Sequence, residues 1–224
     1  SEIFSMIYKN SPQKNKKQFL LTLLIPAIKS YNYDLVEFLL KENAPCDDAL
    51  FKAVEISDLK FVNLILKYNS KPSFVNRNTS NGTALINAIN NNDLKIVKRL
   101  LSVPSINPKI YSKDGKYPLI IAFEKCNMEM INIFLDFYGD DLNNETEQLD
   151  KLLETLFNLL LSKNPSNVDL LYAVLNRIFN IKNTSLVSYV NKYNLLIRSI
   201  SSNNIYFIKK LLQLEKLNVN IYDP

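Results

Sequence analysis

Residues 83–101 read TALINAINNNDLKIVKRLL. Leu85, Ala88 and Ile89 recur at three- and four-residue spacing, which places them on one face of a helix. Four polar residues, Asn90, Asn91, Asn92 and Asp93, then interrupt the pattern. Leu94, Val97, Leu100 and Leu101 resume it as the apolar stripe of a second helix. Asparagine tolerates the left-handed backbone that a tight break between helices needs. Asp93 stands where an N-cap carboxylate accepts from free backbone N–H groups. The pattern therefore predicts two short helices joined by a polar turn.

The same pattern returns along the chain. Residues 22–40 (TLLIPAIKSYNYDLVEFLL), 48–66 (DALFKAVEISDLKFVNLIL) and 117–135 (YPLIIAFEKCNMEMINIFL) align with 83–101 without gaps. A fifth segment, 194–212 (NLLIRSISSNNIYFIKKLL), keeps the frame with Ser199 in the alanine place. The alanines fall at Ala27, Ala53, Ala88 and Ala122, in steps of 26, 35 and 34 residues. A small residue there lets two helices approach closely. Residues 155–175 fill the space before the fifth segment but match poorly. Neither helix of a unit can bury its stripe alone, so neighbouring units must stack.

This pattern resembles the ankyrin repeat, a unit of about 33 residues with a T-P-L-H-x-A signature. The closest local match is KDGKYPLIIA, residues 113–122. The resemblance covers residues 22–224, weakly around 155–175. It implies an all-α fold, a helical repeat solenoid of stacked helix-turn-helix units. Residues 1–21 would be an N-terminal helical cap or partial repeat, and 22–135 four ankyrin-like repeats. Residues 136–154 would be an acidic loop and helix start, 155–193 a degenerate helical repeat, and 194–224 a last, truncated repeat. The sequence departs from the family at two places in each unit. The family's histidine becomes Ile25, Phe51, Ile86, Ile120 and Ile197, which exchanges a hydrogen bond for apolar contact. Its glycine between the helices becomes Tyr31, Ser57, Asn92, Cys126 and Asn203. A TPR array shares the spacing but not the residues, since tryptophan is absent. The closing LNVNIYDP and the start at Ser1 suggest a fragment of a longer array, whose last unit would leave Leu211 and Leu212 facing outward.

Composition narrows the chemistry. Histidine is absent and only three glycines occur, Gly82, Gly115 and Gly139. That removes Ser-His and Cys-His nucleophile pairs, histidine metal clusters and glycine-rich phosphate loops. Carboxylate-only catalysis would need a deep pocket, which a simple solenoid seldom provides. No catalytic residue, metal site or cofactor is expected. Cys46 and Cys126 read as free thiols of an intracellular, cytoplasmic protein. Asn-x-Ser/Thr sites at Asn78, Asn81, Asn144 and Asn183 are explained by the abundance of asparagine. The basic-then-apolar run at 14–30 resembles a targeting signal, but it is too short to span a bilayer and lies in register with the repeat. Residues 136–154 carry seven acids and one lysine. They read as a polar loop, with Asn144 and Glu147 in a capping-box arrangement, in preference to a cation site.

A stacked array offers two surfaces, the turn tips and the exposed side of the first helices, which line a concave groove. The tips include Arg77, Asn78, Thr79 and Ser80, then Tyr111, Lys113, Asp114 and Lys116. The groove side includes Lys29, Ser30, Glu55, Ile56, Asn90, Asn91, Glu124, Lys125, Ser201 and Ser202. The expected function is a monomeric, non-catalytic scaffold binding a protein partner. Tyr111, Lys113, Lys116, Glu124 and Lys125 are its candidate contacts, because this junction has the most regular sequence. Exposed tyrosine at Tyr111 would add large contact area at little entropic cost; a tyrosine packed under its own turn is the equal alternative. Nucleic-acid binding is the lesser reading: the pI near 9.0 favours it, and the interleaved Asp114 opposes it. A targeting module of a larger enzyme is a third. One prediction follows from composition alone. Histidine is the side chain whose ordinary pKa lies near neutrality, so the denaturation midpoint should stay level between about pH 6 and 8. A large shift measured across that window would refute it.

Overall fold

The computed structural model describes residues 2–125, 127–138, 146–161, 168–181, 186–192, 194–214 and 217. Cys126, Asn144 and Asn183 lie outside them, as does the capping-box reading at Asn144. The described residues form helices joined by turns, with one isolated β-bridge between Thr79 and Gly82. They divide into two compact units, residues 1–121 and 122–224.

In the first unit, α1 (Glu2–Asn10) and α2 (Gln13–Thr22) precede three helix pairs. These are α3 (Leu24–Lys29) with α4 (Tyr33–Lys41), α5 (Ala49–Glu55) with α6 (Leu59–Tyr68), and α8 (Ala84–Asn90) with α9 (Leu94–Leu101). The single turn α7 (Pro72–Val75) sits between the second and third pairs, and α10 (Pro118–Glu124) begins where the unit ends. The first helices α3, α5 and α8 pack side by side, and the second helices α4, α6 and α9 form a row of their own. This is the expected stacking of repeats. The basic-then-apolar run at 14–30 is not one helix. It breaks at Leu23, leaving α2 without a buried residue while Leu24, Ala27 and Ile28 of α3 enter the core.

In the second unit, α11 (Met128–Tyr138) follows α10. Two longer helices come next, α12 (Thr146–Leu161) and α13 (Val168–Ile181), then α14 (Leu186–Lys192). The last pair is α15 (Leu195–Ser201) with α16 (Ile205–Leu212). α12 packs on α13 and α15. Its 16 residues run through position 154, so the sequence boundary drawn there falls inside a helix. Its core face carries Leu153, Leu156, Phe157 and Leu160.

One local device makes the three pairs of the first unit and the last pair of the second. The residue in the family's glycine place adopts the left-handed conformation, with φ of 56° at Tyr31, 53° at Ser57, 57° at Asn92 and 56° at Asn203. The N–H of the next residue then reaches back to the carbonyl of the alanine position. Asn32, Asp58 and Asp93 donate to Ala27, Ala53 and Ala88 at 3.0 Å, and Asn204 donates to Ser199 at 3.1 Å. The left-handed residue itself donates three residues back, to Ile28, Val54, Ile89 and Ile200. These paired bonds are a Schellman C-cap, which satisfies carbonyls that a helix end leaves open. The following Asn or Asp immediately caps the second helix. Asn32 accepts from Leu35, Asp58 from Phe61, Asp93 from Ile96, Asn127 from Met130 and Asn204 from Phe207. A C-cap and an N-cap therefore share two adjacent residues.

The core follows that register. Ala27, Ala53, Ala88 and Ala122 are at most 2% exposed. Second helices bury two adjacent pairs of residues one turn apart: Phe61, Val62, Ile65 and Leu66 in α6, Ile96, Val97, Leu100 and Leu101 in α9, and Met130, Ile131, Phe134 and Leu135 in α11. The sequence stripe had placed Leu94 where Ile96 belongs. Leu94 is only half-buried, because it is the first helical residue, beside the cap at the edge of the stack. A second correction concerns the last helix. Leu211 is fully buried, so it does not face outward, whereas Leu212 is 55% exposed as expected.

Glycine restores the ordinary residue of a left-handed turn, and Ser57 is exposed there. Ser57→Gly should therefore stabilise the protein by about 0.5–1 kcal/mol. Asp58→Ala, next in the chain, should destabilise by about 1–2 kcal/mol through the lost cap. Denaturant midpoints measure both, and a destabilised Ser57→Gly would contradict this account of the turn.

Candidate functional site

The turn tips are built from side chains that bond to backbone in the neighbouring repeat. The Asn76 carboxamide donates to the Ser105 carbonyl at 2.7 Å and accepts from the Asn107 N–H at 2.7 Å. Ser105 donates its hydroxyl to the Ser70 carbonyl at 2.6 Å. Asn78 donates to the Tyr111 carbonyl at 3.2 Å; away from the tips, on the groove side, Asn91 reaches the Val54 carbonyl at 3.0 Å. Arg77 pairs with Asp48 at 2.6 Å. Each tip is thus held by the tip beside it. Gly82, at φ +88°, closes the Thr79–Gly82 turn, and a Cβ there would come within 3.0 Å of Ile86. Ile86, in the family's histidine place, is the side chain that fills this space.

Tyr111, Lys113 and Lys116 lie on one such tip. Tyr111 is 43% exposed. Its ring packs on buried Tyr117 with centroids 4.2 Å apart, and the two hydroxyls are in hydrogen-bond contact. Tyr111 is therefore packed on its own turn and still partly exposed. Lys113 is exposed. Lys116 is half-buried, its ammonium 3.7 Å from Asp114. Ser112 ties the turn together, its hydroxyl donating to Asp114 at 2.7 Å and accepting from the Lys116 N–H at 3.1 Å. The Ser112 hydroxyl, the turn's own backbone N–H and Lys116 hold the Asp114 carboxyl below the usual carboxylate range. Glu124 and Lys125, at the end of α10 in the second unit, are both exposed.

A second constellation went unseen in the sequence. Tyr33 stacks on Phe61 at 4.2 Å, donates to Asp58 at 2.5 Å and lies beneath the Lys60 ammonium, 5.7 Å from the ring centroid. The Asp58 hydrogen bond pushes the Tyr33 phenol up to about 12. In the second unit, Asp169 accepts from Tyr206 and pairs with Lys210 at 2.8 Å, which lowers the Asp169 carboxyl and raises the Lys210 ammonium. Lys41 lowers the Glu37 carboxyl in the same way. All these shifts move groups away from neutrality. The Tyr33–Asp58 and Asp169–Lys210 contacts join different helix pairs, whereas Glu37–Lys41 and Asp114–Lys116 are local. Among the described residues no cluster of Cys, Asp or Glu could hold a metal ion, and the acidic residues at 139–145 lie outside them.

A family model for ankyrin repeats (3 copies) matches residues 23–110 and 50–146, together more than half of the chain. The chain belongs to the ankyrin repeat family. Comparison of the chain with curated protein sequences gives no match. Ankyrin repeats generally mediate protein–protein interaction and are typically non-catalytic modules. This member keeps the turn geometry with tyrosine, serine and asparagine in the glycine place, and it has no histidine. Among its described residues no helix is long and apolar enough to cross a membrane.

The tips separate strong bracing from weak. Asn76→Ala leaves a donor and an acceptor of the next loop unsatisfied and should cost about 1–3 kcal/mol. Arg77→Ala breaks a solvent-exposed ion pair and should cost less than about 1 kcal/mol. Thermal or chemical denaturation of the two variants checks the order, and the reverse ranking would contradict it.

Proposed function

We propose that the protein is a non-catalytic scaffold that binds a protein partner through its repeat tips and the exposed face of its first helices. The observation that supports this reading most is Tyr111, almost half exposed yet stacked on Tyr117 and tied through its carbonyl to Asn78. A large aromatic surface held this way loses little entropy on binding. Lys113 and Lys116 supply charge on the same turn, and Glu124 and Lys125 supply it on α10. The lesser reading, a nucleic-acid surface, is weakened by the Lys116–Asp114 pair, which offsets positive charge at the tip.

Binding energy in such interfaces concentrates in a few residues. Alanine at Tyr111, Lys113, Lys116, Glu124 or Lys125 should weaken a purified partner by about 1–2 kcal/mol at the best sites. The fold should be unchanged, since none of the five is in the core. Leu119→Ala and Ala122→Asp should instead destabilise the protein, Ala122 being fully buried. Titration of the partner against both sets distinguishes the two effects. Unchanged affinity in all five tip and groove variants would show that this surface is not the interface. Tight, salt-sensitive binding to a nucleic-acid duplex without any protein partner would favour the other reading.

A further inference from the structure

The N-terminal helices carry a surface that the repeat stack does not use. α1 is anchored by two rings. Phe4 meets Phe38 and Phe19 at 5.6 and 5.9 Å, and Tyr8 meets Phe38 at 5.4 Å. Its other face projects Ile3, Met6 and Ile7, which are 77%, 64% and 51% exposed. α2 buries nothing and presents Lys14, Lys17, Gln18 and the 55% exposed Leu21. Lys16 lies over the Tyr8 ring, 5.6 Å from its centroid, beside an open cleft of about 560 Å³ that Leu20 and Leu21 also line.

Charge singles this surface out. Residues 3–33 hold five lysines, Lys9, Lys14, Lys16, Lys17 and Lys29, and no acid. That equals the formal net charge of the whole chain, +5, so the remaining residues balance. Glu2 and Asp34 are the acids that bracket the segment. On the described repeats several basic groups meet acids, as Arg77 meets Asp48, Lys41 meets Glu37 and Lys210 meets Asp169. Here exposed apolar side chains and lysines share two adjoining helices, with Glu2 at the start of α1 and Glu42 bonded to Tyr8 as the acids beside them.

The geometry points to a peripheral docking surface for an anionic lipid bilayer. Ile3, Met6 and Ile7 project from the helix, which suits a deformable acyl boundary. Amphipathic helices with lysines beside an apolar face lie in the bilayer interface in this manner. The lysine stems keep their ammonium groups at headgroup level while the apolar atoms sink below. Neither contribution suffices alone: lysines steer the helices to negative lipid, and the apolar face holds them there. This inference is independent of the tip surface, whose residues lie on other elements.

The test is co-sedimentation of the full chain with two sets of vesicles, phosphatidylcholine alone and phosphatidylcholine mixed with phosphatidylserine. Binding to the second set only, weakening as salt is raised, is expected. K14Q/K17Q should reduce the partition coefficient roughly 25-fold, about fivefold for each charge. I3S/M6S/I7S should reduce it by at least about tenfold. All five side chains are exposed, so the fold should persist, and circular dichroism verifies it. The salt titration of the unaltered protein tests the charge requirement without any substitution. Absence of binding to the serine-lipid vesicles overturns the inference, as does equal binding to both sets. Unchanged binding in either variant also overturns it. A dimer seen by sedimentation velocity and lost in I3S/M6S/I7S, without vesicle binding, would assign the face to a second copy of the chain.

Discussion

The described repeats depend on one backbone turn. Two adjacent residues end the first helix and begin the second, one by turning left-handed and the other by capping with its side chain. The turn brings the second helix across the alanine of the first, and the small side chain sets how near they come. Stacked neighbours then cover what each pair leaves open. Tyr31, Ser57 and Asn203 adopt the strained conformation in company with an Asn or Asp that caps. The strain of order 1 kcal/mol at each turn is offset by hydrogen bonds that would otherwise be missing at two helix ends.

Without histidine, the bracing between repeats is carried by other groups. Asparagine carboxamides do much of it, because each can donate and accept at once and so substitute for a backbone pair. Asn76 bridges two loops in this way, while Asn78 and Asn91 each bond a carbonyl of a neighbouring unit. Tyrosine does the rest where it stacks, as Tyr33 does between Phe61, Asp58 and Lys60. The asparagine richness, which suggested only chance glycosylation sites, is in part a structural feature. The same bracing steadies the tips, so the surface proposed for a partner and the stability of the stack have a common origin.

Surface chemistry separates the two proposed interfaces. On the Tyr111 tip, charges are mixed and the aromatic ring is held from below. On the N-terminal helices, lysines outnumber the single acid, Glu2, and aliphatic side chains are exposed. The first arrangement suits a shaped, polar partner, and the second an anionic surface that yields. A scaffold that binds one component with its repeats and rests on a bilayer with its first helices would bring the two together.

The repeat, its register, the turn and the caps were determined by the sequence alone. They arise from interactions within about ten residues, and such spacing is visible as periodicity. The alanine positions, Asp93 as a cap and the left-handed Asn92 needed no knowledge of neighbours. The family's glycine place could likewise be read at Tyr31, Ser57 and Asn203. Tertiary structure decided what depends on surfaces from elsewhere in the chain. Whether Tyr111 stood free or packed was settled by Tyr117 beneath it, and the second turn of Asn76 into a bridge required the loop around Ser105. Leu212 shows the distinction most directly. It occupies the register of Leu40, Leu66, Leu101 and Leu135, all of them buried, yet it is 55% exposed. Periodicity assigned it to the apolar stripe, but burial also requires a second surface, and among the described residues none covers it.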